Sequence, residues 1–139
     1  MVDTPASGRR AIYPKSSGWH EKNSAGVETR LLRAGVTFTI ADDAAISFTP
    51  DSTRGIFLFV TNDSGAGYDA LLSYIVGASP RINSLITNIN FEYTTGVLAG
   101  TTGSDSVITF SAHTDGKIYV ENRTGTSYNV TCINLGSST

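Results

Sequence analysis

The sequence predicts an all-β protein: a β-sandwich of jelly-roll-like type over residues 35–139, behind an extended N-terminal β-meander arm over residues 1–34. Three observations predict it. Thr, Val, Ile, Phe and Tyr are plentiful, and these branched and aromatic side chains suit a pleated surface. Short runs with two-residue apolar alternation recur about every 8–12 residues, the spacing of a sandwich or barrel. Glycine and Asn/Asp turn signals stand between the runs.

The arm opens with a polar lead containing Asp3, Pro5, Ser7 and Gly8. Three short segments follow: Ala11–Pro14, Gly18–Lys22 and Gly26–Leu32. Turn-like Lys15-Ser16-Ser17 and Asn23-Ser24-Ala25 separate them. Each segment is too short and too polar to bury its own apolar side chains. Ile12, Tyr13, Trp19, Val27 and Leu31 are therefore the candidate assembly and anchoring residues. Their cover would come from the main body, from sister copies or from a larger particle. A plainer reading is a hairpin packed on its own domain.

In the body, Val36, Phe38 and Ile40 share one face of an alternating strand, and Ile46-Ser47-Phe48 alternates too. Ile56-Phe57-Leu58-Phe59-Val60 is a continuous apolar run. It predicts a strand covered on both faces, by two layers or by a neighbouring subunit. Ala70–Val76 reads as a strand, with a helical turn as the competing assignment. Later runs place Ile108 with Phe110, Ile118 with Val120, and Tyr128 with Val130 and Cys132. Asn62–Gly67 and Thr101–Asp105 are loops, and Thr114-Asp115-Gly116 and Arg123-Thr124-Gly125 are tight turns. Asp42-Asp43 before Ala44-Ala45 has the look of a short helical turn.

Charged residues are 16% of the 139-residue chain and the formal net charge is −2. A binder driven by phosphate contacts is normally basic, so no nucleic-acid partner is expected. No stretch approaches 18 consecutive apolar residues, so no membrane insertion is expected. The first residues lack the apolar core of a secretion signal, and the single cysteine, Cys132, has no partner within the chain; synthesis in a reducing cytoplasm fits. Serine and threonine make up about a quarter of the chain. A hydroxyl-rich, weakly charged surface suits burial in an interface, whose core is depleted in charge.

Catalytic chemistry has little support. Ser111, His113 and Asp115 can be written as a triad, but residues this close along one hairpin do not acquire its geometry by proximity in sequence. Asp42, Asp43, Glu92 and Glu121 include no spacing that singles out a glycosidase pair. No enzyme activity, cofactor or metal is expected. One cysteine and two distant histidines make no zinc set, and Asp51, Asp63, Asp105 and Asp115 follow no calcium-loop pattern. Carbohydrate recognition is the binding chemistry that stays open. Sugar sites combine an aromatic ring with short hydroxyl, amide and carboxylate groups, and loops carry such sites more often than strands. Tyr68, Asp69, Asn90 and Tyr93 are the candidate contacts, beside Asn62, Asp63, Asn88, Thr94 and Thr95.

The run Ser7–Glu28 carries one more signal. It reads as small-Gly-basic, an apolar-Tyr-x-Lys strand, a turn with Gly, an aromatic-x-x-Lys strand, and a second Gly turn followed by Glu. In this pattern it resembles a segment common in bacteriophage virion proteins, especially tail fibres, spikes and head fibres. Ile12, Tyr13, Lys15, Gly18, Trp19, Lys22, Gly26 and Glu28 fit; Pro14 and Trp19, where a smaller residue is more usual, are the departures. The resemblance covers about a fifth of the chain. It implies a virion protein made in the bacterial cytoplasm and a homotrimer. It also implies contacts with other tail or capsid proteins, and a host surface glycan as a receptor class. The leading expectation is a small tail-fibre or spike-like protein for host attachment. The alternatives are a capsid decoration (cement or head-fibre) protein, which the chain's shortness favours, and a stand-alone carbohydrate-binding module.

Overall fold

A computed structural model describes residues 3–15, 18–33, 35–62, 68–86 and 90–137. Twelve strands lie among them, in three sheets. The chain divides into two compact units, Met1–Gly35 and Val36–Thr139.

The first unit is an antiparallel meander of β1 (Arg10–Lys15), β2 (Gly18–Asn23) and β3 (Glu28–Arg33). Its second turn follows from Asn23, whose side-chain oxygen accepts the N–H groups of Ala25 and Val27 at 3.0 Å each. Gly26 supplies the positive φ of 79° that this turn requires. Pro14 is tolerated because β1 is an edge strand, where a missing donor breaks no inner ladder.

The second unit holds a five-stranded and a four-stranded sheet. The first contains β4 (Val36–Ile40), β6 (Arg54–Thr61), β7 (Ala70–Ile75), β8 (Arg81–Ser84) and β12 (Tyr128–Ser137), in the order β4-β12-β6-β7-β8. The second contains β5 (Ala44–Phe48), β9 (Phe91–Thr95), β10 (Ile108–Ala112) and β11 (Ile118–Asn122), in the order β5-β11-β10-β9. The all-β sandwich read from the sequence is the architecture observed. β4, β12 and β6 lie in one sheet and β5 and β11 in the other, so the chain crosses between the sheets near both ends of this unit. The middle of the chain adds a β6-β7-β8 meander and a parallel β9–β10 pair.

The inward positions of both sheets make one core. Phe110 sits at its centre, 4.9 Å from Phe59, 5.4 Å from Phe91 and 6.1 Å from Phe57 by ring centroid. The first two of these pairs are crossed at 87° and 61°, the edge-to-face geometry that aromatic quadrupoles prefer. Asn122, fully buried, ties the sheets where β4 passes into β5. Its amide donates to the carbonyls of Ile40, Ala41 and Thr126, and its oxygen accepts from Thr124. Asp42-Asp43 at this corner is not the helical turn expected. Asp43 takes a positive φ of 51°, Asp42 accepts the Gly125 N–H and Asp43 accepts from Arg123.

A parallel pair needs a crossover connection. Residues 96–107 supply it, lying on the outer face of the four-stranded sheet. Ser111 donates to the Gly96 carbonyl at 2.6 Å, and the Glu121 carboxylate accepts the N–H groups of Gly100, Thr102 and Gly103 at 2.7, 3.1 and 2.5 Å. Gly100 is required here. Its φ is 103°, and a Cβ would fall 2.4 Å from the Asp43 backbone oxygen.

Candidate functional site

The five-stranded sheet presents an apolar outer face. Phe57 and Phe59 point into the core, so Ile56, Leu58 and Val60 point out. Leu58 pairs with Ile133 on one side and Leu71 on the other, forming an unbroken aliphatic row across three strands. Val60 continues through Thr131 to Thr37, and Ile56 sits opposite Ser73. Ile56 is 38% exposed, Leu135 51% and Leu85 52%; Leu58, Val60, Leu71, Ile75 and Ile133 are half-buried. Charge enters at one end, where Arg54 and Arg81 flank Ile75. Of the two covers expected for Ile56–Val60, two layers or a neighbouring subunit, the chain itself supplies only one layer. One face of this strand packs in the core and the other stays open.

The arm divides its candidates in the same way. Ile12 and Val27 are exposed. Tyr13 is buried within the single chain, so of the covers left open for it none from a sister copy is needed. It stacks on His20, its register partner, with ring centroids 6.2 Å apart, and the Lys15 ammonium lies 5.7 Å from its ring. Burial pushes the Tyr13 phenol up to about 12, with Glu28 adding to the shift. Glu28, bonded to Lys15 and facing Tyr13, is drawn down to about 2. Backbone register places Trp19 opposite Pro14 and Leu32. The side chains of Trp19 and Leu31 lie outside what the structure describes.

The sugar candidates fall in two places. Tyr68 packs on Tyr128 (5.3 Å) and Phe91 (6.2 Å), and Asn90 directly precedes Phe91 in the chain. Asp69 accepts the Thr61 N–H at 2.9 Å, and the Asn90 carbonyl accepts the N–H of Ile108. Tyr68, Asp69 and Asn90 thus gather at one end of the sandwich, partly occupied in holding it together. Asp63 and Asn88 lie outside the described residues. Tyr93 stands apart, stacked at 11° on Phe110 with centroids 6.2 Å apart. Burial raises its phenol, opposed by the Ser84 hydroxyl.

Tyr93 lines a cleft of about 480 Å³ that the sequence did not reveal. Glu92, Thr94, Thr102, Ser104 and Thr109 surround it. Ser104, through hydroxyl and backbone N–H, holds the Glu92 carboxyl below its usual range, and Thr109 assists. β9 brings Glu92 and Thr94, β10 brings Thr109, and the crossover brings Thr102 and Ser104. No spacing along the chain announces such a convergence.

Ser111, His113 and Asp115 are close but not arranged as nucleophile and base. The Ser111 hydroxyl donates to Gly96, while Asp115 is engaged by His113 at 3.1 Å and by the Tyr119 hydroxyl at 2.7 Å. Tyr119 is the main cause that lowers the Asp115 carboxyl. Among the described residues no three His, Cys, Asp or Glu side chains converge as a metal set. Comparison with protein-family models, with curated proteins and with solved structures finds no match to this chain.

Proposed function

We propose that this chain is a structural protein of a bacteriophage particle, a homotrimeric tail-fibre or spike-like protein. In this reading the meander anchors it to other virion proteins and the sandwich is displayed for host-surface attachment. The observation that carries the reading is the outer face of the five-stranded sheet. The described outward positions of β12, β6 and β7 place Ile133, Ile56, Leu58, Val60, Leu71 and Ile75 together with the neutral Asn129, Thr131 and Ser73, and charge enters only at one end, at Arg54. Contiguous exposed apolar surface on a folded domain marks an interaction site. A face without charge suits the core of an interface between like copies. The meander supports the anchoring role, since it forms a compact unit of its own and exposes Ile12 and Val27.

Three experiments test this. Light scattering at micromolar concentration gives the mass of three chains; a monomer there overturns the trimer. Antibody labelling of intact virions places the protein on the tail; label spread over the head replaces the attachment role with capsid decoration. Deleting residues 1–34 releases the protein from the particle and leaves a folded sandwich.

A further inference from the structure

Glu92, Thr109 and Glu121 stand in register across β9, β10 and β11, one row on the outer face of the four-stranded sheet. Residues 97–105 of the crossover lie on this row, and Gly103 has no room for a side chain above Thr109. Among the described residues, no backbone-to-backbone hydrogen bond involves 97–105. Four of their N–H groups go instead to the two carboxylates. Glu121 Oε2 accepts from Gly100 at 2.7 Å and from Thr102 at 3.1 Å, and Glu121 Oε1 accepts from Gly103 at 2.5 Å. Glu92 Oε2 accepts from Ser104 at 3.1 Å. Two further ties hold the segment. Arg123 donates to the Gly103 carbonyl and pairs with Asp105, and Leu98 is buried but stands outside the core cluster. Beyond residue 105 the backbone is fastened differently, with Ser106 and Val107 bonded to the main chain of Arg123.

A fastening of this kind depends on charge. An ionised carboxylate carries no proton and has about four acceptor sites, so it takes several N–H groups at once. Protonation removes the charge that strengthens these bonds and adds a donor where donors already converge. Burial works to raise the Glu121 carboxyl, but the N–H groups of Gly103, Thr102 and Gly100, with Arg123, overcome it and hold the group low. The Ser104 hydroxyl and N–H do the same for Glu92. Other charges near the row are few. Arg123, from the turn after β11, is shared with Asp43 of the β4–β5 corner and Asp105 of the crossover. On the same face of β11 the Tyr119 hydroxyl is committed to Asp115, which His113 also engages. β5 and β10 bring no charged side chain.

We propose that residues 97–105 form an acid-released strap: protonation of Glu92 and Glu121 frees it as a unit from the outer face of the four-stranded sheet, while the sandwich beneath stays folded. Release bares Thr109 and Glu121. The core stays closed because its aromatic centre, Phe57, Phe59, Phe91 and Phe110, comes from strands of both sheets and includes no strap residue. In the open strap both carboxyls return to the ordinary 4.5, so opening takes up protons as pH falls below that value. Each carboxyl can multiply the opening constant by at most about tenfold per pH unit. The strap is a property of the sandwich alone and stands or falls apart from the particle reading.

Amide hydrogen exchange of the full chain tests this from neutral pH to about pH 3, each rate being divided by that of an unstructured peptide at the same pH. Protection at Gly100, Thr102, Gly103 and Ser104 should stay level to about pH 4.5 and then fall together, by about tenfold or more at the acid end. Amides of the inner strands β6 and β10 should keep theirs. Glu121→Gln should lower protection at the four strap amides already at neutral pH and leave only the Glu92 share of the acid response. Glu92 is half-buried, and Glu92→Gln should shrink the acid response with less effect at neutral pH, which keeps the test decisive if Glu121→Gln fails to fold. Level protection of the strap at the acid end overturns the proposal. So does a fall shared equally by β6 and β10, which is global unfolding, or an acid response that the folded variants leave unchanged.

Discussion

On the four-stranded sheet, the outer positions of β10 and β11 are Thr109, Ser111, Tyr119 and Glu121, and the chain's own crossover covers them. On the five-stranded sheet, the outer positions of β6, β7 and β12 include Ile56, Leu58, Val60, Leu71 and Ile133, and they stay half-buried or exposed. The contrast follows from what does the covering. A loop brings unpaired backbone N–H groups, and these must be satisfied when buried. The face beneath it therefore carries a carboxylate and hydroxyls. The outer face of the five-stranded sheet has no such loop over Ile56, Leu58 and Val60 among the described residues, and it carries no buried polar group to hold one.

The sharpest way to break this comparison is Glu121→Ala. It leaves the N–H groups of Gly100, Thr102 and Gly103 buried without their acceptor. A loss on the order of 4 kcal/mol is expected in urea unfolding. A loss under ~1 kcal/mol would mean that the crossover is not held by this carboxylate. Gly100→Ala comes next, forcing a side chain into a left-handed backbone and against the Asp43 carbonyl. About 2–3 kcal/mol is expected, read as a lowered melting temperature.

Acid acts on the same face more gently. The folded-state values of Glu121 and Glu92 lie below their ordinary 4.5, so both favour the folded state above that pH. The contribution is lost as pH falls below 4.5 through the folded values. Urea midpoints should hold from neutrality to about that point and then drop. Glu121→Gln should give a shallower drop. Asp115 and Glu28, also lowered, leave part of the slope in place.

The smallest effect on the protomer and the largest on its association belong to Leu58→Lys. On a half-exposed outer position it should cost within about 1 kcal/mol of folding stability. It should nonetheless convert the proposed trimer to monomers by light scattering, because it places a charge in the middle of the aliphatic row. An unchanged mass would move the subunit interface elsewhere.

Much of the fold was legible because alternation is local. Val36-Thr37-Phe38, Ile118-Tyr119-Val120 and Tyr128–Cys132 each display their inward residues within a few positions, and β4, β11 and β12 follow them. The aliphatic run Ile56–Val60 was read as covered twice, by two layers or by a neighbouring subunit; within the chain itself the strands covered twice are β10 and β11. Their outer residues are polar because a loop covers them, which makes them resemble strands facing water. Of the candidate sugar contacts, Tyr93 lines the cleft, while Tyr68, Asp69 and Asn90 sit at another end of the sandwich. Glu92, Ser104 and Thr109 gave no signal, since three separate elements bring them together.

By itself the sequence determined the strands with clean alternation, β4, β10, β11 and β12, and which side of each turns inward; it did not mark β8 or β9, and it read Tyr93, Thr94 and Thr95, which lie on β9, as loop. Those properties depend on side-chain alternation and turn chemistry over a handful of positions. Only the tertiary structure decided which outer face the chain covers for itself, that Tyr13 is buried, and that a cleft opens beside Glu92. Each of these depends on where a distant segment comes to rest, which no local periodicity records.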